Sequence, residues 1–68
     1  QSVKLIAVST SNGLLVCGLA PGEVFSIYNM SGQLHFKGKA TATEELVPLR
    51  ERGIYIVVAG ERRVKAVY

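Results

Sequence analysis

The chain is poor in the residues from which most catalytic and metal sites are built. It has no aspartate and no tryptophan, and it holds one cysteine and one histidine among 68 residues. The single cysteine, Cys17, excludes an internal disulfide and a thiolate metal cluster, and its apolar neighbours predict a small hydrophobic side chain. His35 has no aspartate to orient it, as a catalytic triad requires. We therefore expect no enzyme activity, no metal and no cofactor.

Long apolar runs are also missing, since none approaches the roughly 20 residues that a membrane-spanning helix needs. We therefore expect no membrane insertion. Hydrophobic residues make up 49% and charged residues 19% of the chain, which excludes a disordered tail. A length of 68 residues leaves no room for two cores, so residues 1–68 are predicted to form one domain. Because Gln1 is not a methionine and no signal-like segment follows it, we expect a domain excised from a larger protein.

Negative charge is scarce, since five glutamates stand against eight lysines and arginines, for a net charge of +3. The excess is mild and spread from Lys4 to Lys65, so it favours solubility first. Glu44 and Glu45 follow each other on a predicted strand, point to opposite faces and cannot act as a carboxylate pair. No aromatic platform is interleaved with the basic residues, so we expect no nucleic-acid partner.

What the chain does contain is a series of short β-branched and aromatic runs, separated by turn residues about every eight to ten positions. This spacing predicts seven strands, at residues 3–9, 14–19, 23–30, 33–39, 44–49, 54–58 and 62–68. Seven short strands without a helix are typical of an all-β fold, a small antiparallel Ig-like β-sandwich.

The turns between the runs have recognisable residues. Asn12 and Gly13 are suited to a type I′ turn, because both positions of that turn have positive φ. Residues 20–22 contain proline at the first turn position and glycine at the second. Residues 60–61 suit a two-residue turn with glycine first.

The third and fourth runs form the clearest amphipathic hairpin. Between them, Asn29 is expected to accept a hydrogen bond from the backbone two residues on, and Gly32 to close the turn in the left-handed conformation. The two-residue repeat of a strand places Phe25 and Ile27 on the inner face. On the fourth run, the same repeat predicts that Leu34 and Phe36 face inward.

On the exposed face of this hairpin, the alternation leaves Tyr28 and His35, which are too few side chains to define a ligand site. The run 54–58 is apolar on both faces, which predicts a central strand buried from both sides or nearly so. Pro48 has no backbone N–H to donate to a neighbouring strand, so its run is expected near the edge of a sheet, or Pro48 is expected near the end of its strand. The last run alternates two sets of side chains, Val64, Ala66 and Tyr68 against Arg63, Lys65 and Val67.

Two features of the last third could serve recognition. Arg62, Arg63 and Lys65 form a basic end, which either protects an edge strand from aggregation or docks to an acidic partner. An unprotected edge could also pair with a second copy in a dimer. Tyr55 resembles the tyrosine corner of Ig-like domains, where a buried tyrosine anchors the packing and makes one hydrogen bond.

The order of three segments, VFSIYNMSGQL at 24–34, GIYIV at 53–57 and VKAV at 64–67, resembles the C-terminal sorting domain of the type IX (Por) secretion system of Bacteroidetes. The resemblance covers nearly the whole chain. It implies an Ig-like sandwich at the end of a larger exported protein, with a sorting role and no catalysis. By position, the residues that match are Asn29, Ser31, Gly32, Gly53, Tyr55 and Lys65.

The same resemblance implies partners and a route. An N-terminal passenger domain in the same chain would enter the periplasm with its own signal, and the outer-membrane translocon would then recognise the terminal domain. A cell-surface sortase would cut before the domain and attach the passenger to a lipopolysaccharide, so the expected location is the outer-membrane surface or the medium. The alternative is a structural or cell-surface adhesion module without an export role.

Overall fold

The structure is a computed structural model that describes residues 4–68, and within this range it contains strands and no helix. The prediction of seven strands is confirmed. The strands are β1 Ile6–Thr10, β2 Gly13–Cys17, β3 Val24–Asn29, β4 Leu34–Lys39, β5 Glu44–Val47, β6 Ile54–Ala59 and β7 Arg62–Val67. The first run was predicted to begin at residue 3, which lies outside the described residues.

The strands form two antiparallel sheets, one of three strands in the order β1-β2-β5 and one of four strands in the order β4-β3-β6-β7. In the letters used for Ig-like sandwiches, this is ABE facing C′CFG. The predicted all-β sandwich is therefore confirmed.

The core lies between the two sheets and takes one face from each. Its largest fully buried side chains come from both sheets: Phe25 and Ile27 of β3, Val57 of β6, Leu14 and Val16 of β2, and Val47 of β5. Phe36 of β4 packs at the margin of the core, with its ring centroid 5.3 Å from that of Phe25. These side chains alternate along their strands, as the two-residue repeat requires.

Three of the four predicted turns have the expected form. The backbone N–H of Glu23 donates to the Ala20 carbonyl at 2.9 Å across Pro21 and Gly22, whose φ of 90° suits a type II turn. Gly60 has a φ of 62° and is the first of the two loop residues between β6 and β7, as predicted. The third is the β3–β4 turn, described below with its side chains.

The fourth turn differs from the prediction. Thr10 pairs with Gly13, so the loop residues are Ser11 and Asn12, and within residues 4–68 positive φ is confined to glycines. The type I′ prediction is therefore wrong. The Thr10 hydroxyl takes over part of the turn, because it accepts from the Asn12 N–H at 3.1 Å and donates to the Gly13 carbonyl at 2.8 Å.

Leu34 does not face inward as predicted, and it is 53% exposed. The register of β3 and β4 shifts between Ile27 and Tyr28, so Ile27 pairs with Phe36 and Tyr28 with Leu34, which leaves His35 as the extra residue. A bulge of this kind breaks the alternation of one strand. Phe36 keeps its predicted inner position, whereas Leu34 moves to the outer face beside Tyr28.

The prediction that β6 is a central strand is confirmed, but the strand is not buried from both sides or nearly so. The strand is central in its sheet, and Tyr55, Val57 and Ala59 are buried, but Ile56 and Val58 are only half-buried and Ile54 is 41% exposed. A sandwich of two sheets has only one core between them, so the second face of each sheet has no layer above it.

Strand β7 has the predicted alternation, with Ala66 and Tyr68 buried and Arg63, Lys65 and Val67 exposed. The backbone ladder continues to Tyr68, whose N–H donates to the Gly53 carbonyl at 2.8 Å and whose carbonyl accepts from the Gly53 N–H at 3.1 Å. The Arg52 guanidinium lies 4.6 Å from the centroid of the Tyr68 ring. The final residues therefore belong to the four-stranded sheet.

Candidate functional site

The candidate site is the outer face of the four-stranded sheet, the face that points away from the core. The register of the strands makes side chains of the four strands cross-strand neighbours, for example Leu34, Tyr28, Ile56 and Lys65. None of the side chains on the outer face is fully buried. Its residues are Leu34, Lys37 and Lys39 of β4, Val24, Ser26 and Tyr28 of β3, Ile54, Ile56 and Val58 of β6, and Arg63, Lys65 and Val67 of β7.

Charge on the outer face has one sign and lies at its two margins. Lys37 and Lys39 are on edge strand β4, whereas Arg63 and Lys65 are on edge strand β7. None of the four strands contains a glutamate. The two margins are three inter-strand spacings apart, a distance of about 14 Å. The outer face is therefore an apolar strip between two basic rows.

A pocket of about 370 Å³ opens on the outer face near the β3–β4 turn. Its lining is mostly apolar, with one cation and the turn backbone: Tyr28, Asn29, Met30, Gly32, Ile56, Val58 and Arg63. A concavity of this composition can accept an apolar side chain and place a charged neighbour beside the guanidinium.

Arg62 does not join Arg63 and Lys65 on the outer face. Its side chain is half-buried and bonds across the sandwich, with Nη2 donating to Glu23 Oε1 at 2.7 Å and Nη1 to the Gly18 carbonyl at 2.7 Å. Arg62 therefore ties β7 to the segment between β2 and β3. Of the three basic residues that the sequence groups together, two face outward and one has a structural contact.

The carboxylate of Glu23 also accepts the backbone N–H of Ala20 at 3.0 Å. This bond and the Arg62 guanidinium hold the pKa of Glu23 below its ordinary value. The pKa of Glu45 is lowered in the same direction, because its carboxylate accepts from the backbone N–H and the hydroxyl of Thr41.

We expect the free energy of unfolding to fall as the pH drops below 4.5, the ordinary pKa of a glutamate side chain. Since the pKa of Glu23 is depressed in the folded state, the unfolded chain is protonated first. The stabilisation present above the unfolded-state pKa is then lost as the pH falls through the folded-state value. Glu23→Gln should reduce this acid loss, as measured by urea denaturation at about pH 6 and about pH 3. An equal loss in the variant would assign the acid sensitivity to other groups, Glu45 first.

Tyr55 has the packing and the hydrogen bond of a tyrosine corner. Its ring is buried, and its hydroxyl donates to the Glu51 carbonyl at 2.7 Å, four residues upstream and just before β6. In Ig-like sandwiches this corner fastens the loop that leads into strand F. The neighbouring Gly53 exchanges two backbone hydrogen bonds with Tyr68, so Gly53 and Tyr55 both hold the entry to β6.

The remaining motif residues lie in the β3–β4 turn. Asn29 Oδ1 accepts the N–H groups of Ser31 and Gln33 at 2.9 Å each, and the Gly32 N–H donates to the Asn29 carbonyl at 3.0 Å with φ at 86°. Because Oδ1 is an acceptor, the Asn29 amide nitrogen is the donor, and it lies 3.2 Å from Nε2 of His35. Asn29 therefore organises the turn through both polar atoms of its side-chain amide.

His35 and Tyr28 are not on a common face, contrary to the prediction. The His35 ring meets the Tyr55 ring edge-on, with centroids 5.3 Å apart, whereas Tyr28 lines the pocket on the outer face. The bulge that moves Leu34 outward is the reason. His35 thus belongs with Asn29 and Tyr55 at one end of the sheet.

Cys17 is half-buried on the outer face of the three-stranded sheet, where it pairs with Glu44. Burial, and then the Glu44 carboxylate, raise the pKa of the thiol. A protonated thiol is a poor nucleophile, which fits the expected hydrophobic role. Residues 4–68 contain no cluster of three or more side chains that could hold a metal ion. Across the same residues, no helix has the length and hydrophobicity to cross a bilayer.

No protein-family model, curated protein or solved structure matches this chain at a significant level.

Sequence reasoning missed the apolar centre of the outer face, which is formed by Tyr28, Ile56 and Val58. The signal that could have found it was the charge distribution, because β3, β4, β6 and β7 hold five of the eight cations and none of the glutamates. A sheet in which these four strands are neighbours carries charge of one sign only. Only the strand order shows that they are.

Proposed function

We propose that this domain is a non-enzymatic sorting and anchoring module, which directs an exported passenger across the outer membrane to the cell surface. Its partners are then the outer-membrane translocon and the sortase of a type IX system. The domain offers the β6–β7 hairpin to this machinery, with Arg63 and Lys65 exposed on it. In this role the module is a recognition surface, and the passenger in the same chain supplies any activity.

One observation supports the proposal above the others. The segments 24–34, 53–57 and 64–67, which resemble the sorting domains, lie mainly on β3, β6 and β7, three of the four strands that carry the outer face. The residues with family-like positions either shape this sheet, as Asn29, Gly32 and Tyr55 do, or are exposed on it, as Lys65 is. A recognition role needs such a surface on a rigid scaffold.

The proposal predicts that residues 1–68, fused to the C-terminus of a fluorescent or enzymatic passenger with a periplasmic signal, bring it to the surface of a type IX-competent bacterium. Surface labelling and fractionation measure the outcome. The controls are the passenger without the domain and the same fusion in a strain without the translocon. Retention of the fusion in the periplasm of the competent strain would contradict the proposal.

A second candidate is a structural or cell-surface interaction module without an export role. It is favoured by the outer face of the three-stranded sheet, where Ile6, Val8 and Leu46 are 44%, 47% and 46% exposed around Leu15. An apolar patch on this second sheet suits packing against a neighbouring domain. This candidate predicts that the parent protein keeps its location when residues 53–68 are deleted, whereas the sorting proposal predicts that it does not.

A further inference from the structure

The apolar centre of the outer face is unusual for a sheet that has solvent on one side. Antiparallel sheets of this kind normally alternate apolar residues inward with polar residues outward. Here the two central strands place Tyr28, Ile56 and Val58 outward, with Ser26 as their polar neighbour. All four are half-buried by the surrounding side chains alone. An apolar strip with a polar margin is the usual composition of an interaction site.

We propose that the outer face of the four-stranded sheet is a docking surface for an acidic protein segment with an apolar side chain between its carboxylates. This inference deepens the proposed function and rests on it for the nature of the partner, which is a protein. The apolar side chain occupies the pocket beside Tyr28 and Ile56. The carboxylates face the two basic rows.

Charge complementarity defines the partner. The four outward cations, Lys37, Lys39, Arg63 and Lys65, form no ion pair with the carboxylates of residues 4–68. With basic rows about 14 Å apart and no carboxylate on the strands between them, the face attracts a segment with negative charge on both sides of an apolar centre. A neutral apolar segment would fill the strip and leave both rows without a partner.

The pocket favours a protein over a membrane surface. Its volume of about 370 Å³ is enough for one large side chain, and its lining is apolar except for Arg63 and the turn. A protein segment can supply such a side chain together with a carboxylate beside it. A bilayer surface is smooth on this scale and would satisfy the cations without filling the pocket.

A second copy of this chain is a poor occupant of the same face. Two copies stacked face to face would bring the basic rows of one close to those of the other, and like charges brought together at an interface are repulsive. No glutamate lies on the strands of this face to offset the repulsion. The partner on the outer face is therefore an acidic segment and not the same face of a second copy.

The test is a selection of random 12-residue peptides displayed on phage against the immobilised 68-residue chain, followed by fluorescence anisotropy with the selected peptides. We expect peptides in which aspartate or glutamate flanks an apolar or aromatic residue. The double variants Arg63→Glu/Lys65→Glu and Lys37→Glu/Lys39→Glu should each weaken binding at least tenfold. The matched control is Lys4→Glu/Arg50→Glu, which changes the net charge equally at two exposed positions outside this sheet and should change affinity less than threefold.

A measurement on the unaltered chain covers the case in which a double variant does not fold. Binding of the selected peptides should weaken at least tenfold when NaCl rises from about 0.05 to about 0.5 M, because screening shortens the reach of exposed charges. Selection of neutral or basic peptides would overturn the inference, and so would an equal loss of affinity in the control. Binding to phosphatidylglycerol vesicles with no peptide selected would assign the face to membranes. A dimer in sedimentation velocity that is lost in Ile56→Ser would assign it to a second copy.

The export assay and the peptide assay fail independently. The peptide selection contains no export machinery, so loss of export with acidic peptide binding intact counts against the sorting proposal alone. Normal export without selection of acidic peptides counts against the docking surface alone.

Discussion

Val57→Asp should unfold the domain. Val57 is fully buried between the sheets, on the face of β6 that carries Tyr55 and Ala59. An aspartate there would be transferred to an apolar site without a hydrogen-bond partner, at a cost of roughly 4 kcal/mol or more. A domain of this size is expected to have about 3–5 kcal/mol of stability. Far-ultraviolet circular dichroism and urea denaturation should therefore show a chain that is mostly unfolded at room temperature.

The neighbouring Val58 provides a matched control. It is the same residue type on the same strand, one position further on, but its side chain is half-buried on the outer face opposite Arg63 of β7. Val58→Asp should lower the free energy of unfolding by only about 1 kcal/mol, chiefly through the poor β propensity of aspartate. If both variants unfold to a similar extent, the outer face is covered in the folded protein. If Val57→Asp remains folded, the assignment of the core face is wrong.

Gly18→Ala should also be strongly destabilising. Gly18 has a φ of 90°, and a Cβ atom at this position would overlap the backbone carbonyl of Lys4. The side chain therefore adds a steric clash with backbone to the strain of a left-handed conformation. Together these effects should cost about 3 kcal/mol, which is most of the stability of the domain. The measurement is the midpoint of urea denaturation, with the expectation that little folded protein remains.

Gly22 separates the two contributions to this cost. It has the same φ of 90°, but nothing lies within 4 Å of a Cβ atom built on it. Gly22→Ala therefore carries the conformational strain alone and should cost about 1 kcal/mol. Equal losses in the two variants would show that the backbone near Lys4 moves aside freely.

Local features of the fold were predictable from the sequence. The type II turn at Pro21 and Gly22, the turn that begins at Gly60 and the Asn29 turn depend on residues within four positions of each other. The seven strands were predictable for the same reason, because the two-residue repeat is a property of each run by itself. Tyr55 was also identifiable, since its hydroxyl partner is only four residues away.

Features that depend on distant parts of the chain were not predictable. The outward position of Leu34 follows from a register shift against β3, which its own run does not encode. Gly13 reads as a turn residue, yet its role is to let the backbone of Val47 pass where a Cβ atom would be. Arg62 reads as part of a basic cluster, yet its guanidinium bonds to groups 44 and 39 residues earlier in the chain.

The sequence by itself determined that this protein is built from seven short strands, joined by turns whose glycine, proline and asparagine residues set local backbone angles. The tertiary structure decided which face of β6 is the core and which is the candidate docking surface. Both faces are equally apolar in the sequence, so the choice depends on which sheet packs against the strand. That choice is made by contacts between segments far apart in the chain, and it also separates the half-buried Arg62, which bonds across the sandwich, from Arg63 on the outer face.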